Sequence, residues 1–124
     1  MQVVALCSQK GGSGKTTLSG HLAVQAALSG AGPVALIDTD PQGSLAAWWN
    51  ERRTEVPAFC STTLAQLPAD LERLRLESCK LVIIDTPPAI NMAIQRVINV
   101  ADLVVIPTRA SCEINGPLGR TALQ

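Results

Sequence analysis

The chain has 124 residues, a length that suits one domain, 1–124, with little room for a second. Hydrophobic residues make up 47% and charged residues 16%, a balance that excludes disorder and calls for a packed core. Ten Lys and Arg offset ten Asp and Glu, so the chain lacks the positive field on which strong, sequence-blind nucleic-acid binding depends.

In chain order, Gln2–Cys7 reads as a strand and Lys15–Ser29 as a helix that Gly30 is placed to end. Val34–Asp38 is a second apolar run. Ser44–Arg53 is helical, with Ser44 as its expected N-cap. A short strand covers Pro57–Cys60, and Ala69–Ser78 is a helix whose mixed charges form a solvated face. Leu81–Asp85 is a strand, Ile90–Val100 a helix and Leu103–Pro107 a further strand. Glu113–Leu123 begins another helix that Gly116 and Pro117 weaken.

The runs VVAL, VALI, LVII and LVVI do not alternate with polar residues. Strands covered on both faces have this composition, which predicts a parallel sheet between helices, an α/β doubly wound fold. The aromatics are Trp48, Trp49 and Phe59 alone, so the core is aliphatic. Of the two tryptophans, one is expected in the core and the other partly exposed. Gly20 and the alanines at 23, 26 and 27 are expected to let the first helix sit close to the sheet. Cys7, Cys60, Cys79 and Cys112 are too far apart in sequence for a zinc-type pair and read as reduced, mostly buried thiols. No apolar run reaches the roughly 18 residues of a membrane span, and no signal-type leader opens the chain. Both observations predict a cytoplasmic protein without a membrane partner.

The segment Ser8-Gln9-Lys10-Gly11-Gly12-Ser13-Gly14-Lys15-Thr16-Thr17 follows the first strand and opens the first helix, the setting a phosphate-binding loop requires. Gly11, Gly12 and Gly14 have no Cβ, so their N–H groups can approach phosphate oxygens, and the helix N-terminus adds partial positive charge. Lys15 supplies a full charge for the β- and γ-phosphates, and the Thr16 hydroxyl is placed to ligate Mg²⁺. Lys10, Ser13 and Thr17 complete the predicted nucleotide-binding set. Gln9 stands where the general pattern has glycine, and Lys10 is an extra lysine.

Asp38-Thr39-Asp40-Pro41-Gln42-Gly43 lies at the C-terminal end of the second strand, the edge outside which open α/β sheets bind ligands. If the strand persists through Asp40, Asp38 and Asp40 point the same way. Leu81–Asp85 is an apolar strand ending in a carboxylate, followed by Thr86-Pro87-Pro88. Carboxylates facing nucleotide phosphates repel them unless a divalent ion intervenes, so this set implies Mg²⁺.

Lys10-Gly11-Gly12-Ser13-Gly14-Lys15-Thr16 resembles the deviant Walker A motif of the ParA/MinD family of P-loop ATPases, and DTDPQG and DTPP resemble its two switch segments. DTDPQG favours the ParA side. The resemblance implies a dimerising Mg-ATP switch that partitions plasmids or chromosomes or positions another cargo, with hydrolysis that is weak without a partner. It implies that Lys10 reaches the partner subunit's phosphates, that Asp38 and Asp85 hold the Mg²⁺ shell with Thr16, and that Asp40 orients the attacking water. Lys10, Lys15 and Asp40 are thus the expected catalytic residues. Expected partners are a second copy of the chain, bound in an ATP-dependent way, and a ParB-like or cargo-adaptor protein. Non-specific DNA, on the bacterial nucleoid, is a further expected partner, weakened because the family's later strands and helices carry much of the basic surface. Those later elements are not within this length. That motivates an alternative reading, a hydrolysis-deficient nucleotide-binding interaction module. A metal-cluster relative is disfavoured, since only Cys112 lies beyond Asp85. An unpaired sheet edge is expected near Leu103–Pro107.

Overall fold

The computed structural model describes residues 1–7, 15–41, 43–52, 57–87 and 92–107. Arg53, Pro88, Arg109, Cys112 and the expected helix Glu113–Leu123 lie outside them, as do residues 8–14, Lys10 to Gly14 among them. The elements are β1 (Gln2–Leu6), α1 (Lys15–Leu28), β2 (Val34–Asp38), α2 (Ser44–Glu51), β3 (Ala58–Ser61), α3 (Leu67–Leu76), β4 (Leu81–Asp85), α4 (Met92–Val100) and β5 (Leu103–Val105).

The five strands form one sheet in the order β3-β2-β4-β1-β5, and every neighbouring pair is parallel. This is the doubly wound α/β fold. Side chains alternate across each strand and sort into two clusters. Val3, Ala5, Ala35, Ile37, Val82 and Ile84 pack with Leu67, Leu71 and Leu74 of α3 and Ile94 and Val97 of α4. Leu6, Val34, Leu36 and Ile83 pack on the other face with Ala23 of α1 and Leu45 of α2. Each fully buried Leu or Ile adds about 1.5–3 kcal/mol of burial free energy.

Local chemistry sets the ends of the elements. Gly30 adopts φ 85°, and the Ala31 N–H donates to the Ala26 carbonyl at 3.0 Å while the Gly30 N–H donates to that of Ala27 at 3.4 Å. These are the two bonds of a Schellman cap, so Gly30 stops α1 as expected. The expected N-cap of α2 is corrected. Gly43, with φ 69°, holds that position, its carbonyl accepts the Ala47 N–H at 3.2 Å, and Ser44 is already helical. Helix α3 starts at Leu67, before the expected Ala69, because Pro68 is tolerated in a first turn where no donor is needed. Its face carries the ion pairs Arg73–Asp70, Arg73–Glu77 and Arg75–Glu72 at 3.5–3.7 Å, all solvent-screened. Asp102 ties the start of β1 to the entry of β5. Its N–H donates to the Val3 carbonyl and its carboxylate accepts the Val3 N–H, both at 2.7 Å. Among the described residues no strand pairs with the outer edge of β5, where Leu103 and Ile106 are each 56% exposed.

Gly20 serves a different contact from the one expected. A Cβ on it would lie 2.7 Å from the Trp48 ring, so its bare backbone seats the indole of α2. Ala23, fully buried, is what brings α1 onto the sheet. Both tryptophans are half-buried. Trp48 carries Arg52 5.4 Å from its ring centroid, while Trp49 stacks on Phe59 at 5.4 Å and donates to the Pro57 carbonyl. Gly20→Ala therefore improves helix propensity by about 1 kcal/mol but overpacks by about 1–3 kcal/mol. Urea denaturation is expected to show net destabilisation, largely relieved in Gly20→Ala/Trp48→Leu. A more stable single variant would contradict the contact.

Candidate functional site

Strand register brings the acidic residues together. Asp38 and Asp85 end neighbouring strands as Cα partners, and Leu6 pairs with Asp85 from the other side. By alternation both aspartates emerge on the α1 side of the sheet, at its C-terminal edge, where α1 begins with Lys15 and Thr16.

Lys15 is 6% exposed and Asp85 1%. The Lys15 Nζ donates to Asp85 Oδ1 at 2.6 Å and to the Thr86 carbonyl. The Thr16 hydroxyl donates to Asp85 Oδ2 at 3.1 Å. Thr17, one position on, is exposed. Four of the predicted residues, Lys15, Thr16, Asp38 and Asp85, thus converge on one strand edge. Burial pushes the Asp85 carboxyl above its ordinary range, against the opposing pull of Lys15 and Thr16.

Asp38 is fully buried. Its Oδ1 accepts the Asp40 N–H at 2.9 Å, whereas Oδ2 has no hydrogen-bond partner among the described residues. Burial raises its carboxyl too, and neighbouring Asp85 adds to that rise while the backbone N–H groups of Asp40 and Ala46 oppose it. The condition for Asp38 and Asp40 to share a strand face is not met. The strand ends at Asp38, and Asp40 stands half-buried in the turn beyond it, where its carbonyl accepts the Gly43 N–H at 3.0 Å.

The donor chemistry suits a small hard cation. Asp38 Oδ2, the Asp85 carboxylate and the Thr16 hydroxyl are all oxygen, and one buried oxygen is unsatisfied. Among the described residues no three His, Cys, Asp or Glu cluster as an all-protein cage would require. Cys7 and Cys79 are buried free thiols and Cys60 is half-buried. Burial pushes all three thiols up, which disfavours the thiolate.

Two threonines hold this edge through contacts that the sequence motifs do not announce. The Thr39 hydroxyl donates to the Asp85 carbonyl at 2.7 Å, and the Thr86 hydroxyl donates to the Leu6 carbonyl at 2.8 Å. The signal was present, a hydroxyl residue directly after each strand-ending aspartate.

A model of the CobQ/CobB/MinD/ParA nucleotide binding domain matches residues 4–116. A Maintenance of carboxysome distribution protein A from Gloeobacter kilaueensis is 47% identical over 111 residues, 86% of this chain and 49% of that protein. Protein ParA from Rhizobium radiobacter is 32% identical over 126 residues, 100% of this chain and 55% of its own. The chain spans about half the length of these curated relatives. A crystal structure of a plasmid partition protein from Borrelia burgdorferi shares the fold, with a TM-score of 0.71 at 19% identity, covering 99% of this chain and 75% of that one. Among the described residues no helix is long and apolar enough to cross a membrane.

Proposed function

Because the chain belongs to the CobQ/CobB/MinD/ParA nucleotide-binding family, we propose that it is a ParA-like, Mg-ATP-dependent ATPase, a nucleotide switch that positions DNA or another cellular cargo. The observation that carries this reading is the meeting of Lys15, Thr16 and Asp85 at the edge of β4, one strand from Asp38. A site of this kind needs a lysine for phosphate charge, a hydroxyl and carboxylates for a divalent ion, and a helix N-terminus behind them.

In this reading Lys15 leaves Asp85 and the Thr86 carbonyl for the β- and γ-phosphates. That transfer gives the ammonium better-matched anions and releases the Asp85 carboxylate. Thr16, Asp38 and Asp85 would hold Mg²⁺, which would screen the phosphate charge. The N–H groups of Gly11, Gly12, Ser13 and Gly14, with Thr17, cradle the phosphates. Asp40, in the turn after β2, orients the attacking water. Lys10 reaches the phosphates of a second copy, which makes the dimer ATP-dependent. Hydrolysis changes what the segments after Asp38 and Asp85 contact, and so releases that dimer. A partner protein that completes the site sets the rate, and the bacterial cytoplasm or nucleoid is the place of action.

Isothermal titration calorimetry with Mg²⁺ and ATP or ADP tests the reading, with phosphate release and sedimentation measured on the same sample. Heat on nucleotide addition, slow turnover and an ATP-dependent mass increase are expected. A folded sample that gives no heat with either nucleotide would overturn it. Binding without turnover would leave a nucleotide-binding interaction module.

A further inference from the structure

We infer that Thr39 is a positioning residue for the divalent cation, fixing the spacing of the Asp38 and Asp85 carboxylates without touching the ion itself. The inference rests on the Mg-ATP reading above and deepens it.

The β2–β4 ladder ends with the Asp38–Asp85 pair. One residue on, Thr39 binds the Asp85 carbonyl twice, with its N–H at 3.0 Å and its hydroxyl at 2.7 Å. A carbonyl oxygen has two lone pairs, so both donors are satisfied by one acceptor. Thr39 is 5% exposed, and its β-branched side chain has few rotamers, so this clasp has little slack.

The clasp joins the two strands where they would otherwise part. Asp38 and Asp85 carry like charges, and β2 turns away after Asp38 toward α2. A peptide plane held on both counts at Asp85 fixes the direction in which that carboxylate leaves the strand. Asp38 directly precedes Thr39, so the same contact holds its backbone, while its carboxylate accepts the Asp40 N–H at 2.9 Å. The Thr86 hydroxyl makes the matching clasp from β4 to the Leu6 carbonyl of β1, on the side away from Asp38. Among the described residues, the Thr39 hydroxyl makes the side-chain hydrogen bond that spans the two acidic strand ends. Partners that orient the groups holding a metal commonly change its affinity by roughly 10–100-fold when removed.

Thr39→Val keeps the shape and the N–H bond and removes the hydroxyl. Binding of a fluorescent ATP analogue is measured in EDTA and across a Mg²⁺ titration, with circular dichroism to check folding. The expected result is unchanged affinity in EDTA and roughly 10-fold more Mg²⁺ needed for the half-maximal response. Thr39→Ser, which restores the hydroxyl, is expected to recover the wild-type midpoint. An unchanged Mg²⁺ midpoint in Thr39→Val would overturn the inference. So would equal losses with and without Mg²⁺, because the hydroxyl would then support the fold alone. If Thr39→Val does not fold, Thr39→Ala takes its place, and failure of both to fold overturns it as well. A wild-type chain that binds no analogue overturns the ATPase reading and this inference with it, which separates the two failures.

Discussion

Lys15→Ala is expected to weaken Mg-ATP binding by about 100-fold or more and to abolish turnover, and also to destabilise the nucleotide-free chain. The two losses have different origins. Binding falls because two or more charge-assisted hydrogen bonds to phosphate disappear, each worth about 1.5–3 kcal/mol. Stability falls because Asp85, 1% exposed, loses its ammonium partner at 2.6 Å. Breaking a buried pair by removing one member costs on the order of 3–5 kcal/mol while the survivor stays charged. Burial already holds the Asp85 carboxyl above its ordinary value of 3.8, and loss of Lys15 raises it further. A carboxyl raised in the folded state binds a proton there that the unfolded chain has lost, so the penalty is absent below the unfolded pKa and grows as pH rises through the folded one. The destabilisation is therefore expected at neutral pH and should fade in acid. Urea denaturation across pH reads the stability, and calorimetry reads the binding. In Lys15→Ala/Asp85→Asn most of the stability should return and none of the binding. Lys15→Ala that binds Mg-ATP like the wild type would remove the phosphate role assigned to this lysine.

That lysine illustrates how far local sequence reaches. The strands Val34–Asp38 and Leu81–Asp85 are legible to the residue, because each is an uninterrupted apolar run closed by an aspartate. The expectation of two covered sheet faces follows from the same runs and holds in both core clusters. What the sequence hides is non-local. Nothing near β4 says that it inserts between β1 and β2, yet that insertion is what sets Asp85 beside Asp38. The cost of a glycine in α1 reads as a helix–sheet approach until Trp48, from the next helix, is seen against it. Thr39 and Thr86 look like spacers between charged and proline residues, since the carbonyls they bind belong to neighbouring strands. Alternation failed at Asp40 because it holds only while the strand lasts, and the strand stops at Asp38.

Asp38→Asn is expected to have opposite effects on stability and on metal response. Asp38 is fully buried, one of its oxygens has no hydrogen-bond partner among the described residues, and Asp85 stands beside it in register. Burial, reinforced by Asp85, holds its carboxyl above the ordinary value of 3.8 despite the Asp40 N–H. Above that raised pKa the folded chain carries an unfavourable charge, so neutralising it should stabilise the nucleotide-free chain by ~1 kcal/mol near neutral pH. The sign of the pH dependence follows. Below the unfolded pKa the wild-type carboxyl is protonated in both states, and the advantage of the variant disappears. An asparagine oxygen can still accept the Asp40 N–H, so the turn into α2 is kept. Magnesium reverses the order. With Mg²⁺ and ADP the wild type gains stability by ligand linkage, about 2.7 kcal/mol at 100 times Kd, whereas the variant has lost one of the oxygens that hold the ion. Thermal unfolding at neutral and acid pH, with and without Mg-ADP, reads all four conditions. A variant less stable than the wild type at neutral pH without magnesium would mean that the Asp38 charge is already compensated in the folded chain. The stability of this chain is therefore limited where its chemistry is concentrated, at Asp38, one of whose oxygens has no hydrogen-bond partner among the described residues, beside an Asp85 that Lys15 and Thr16 hold.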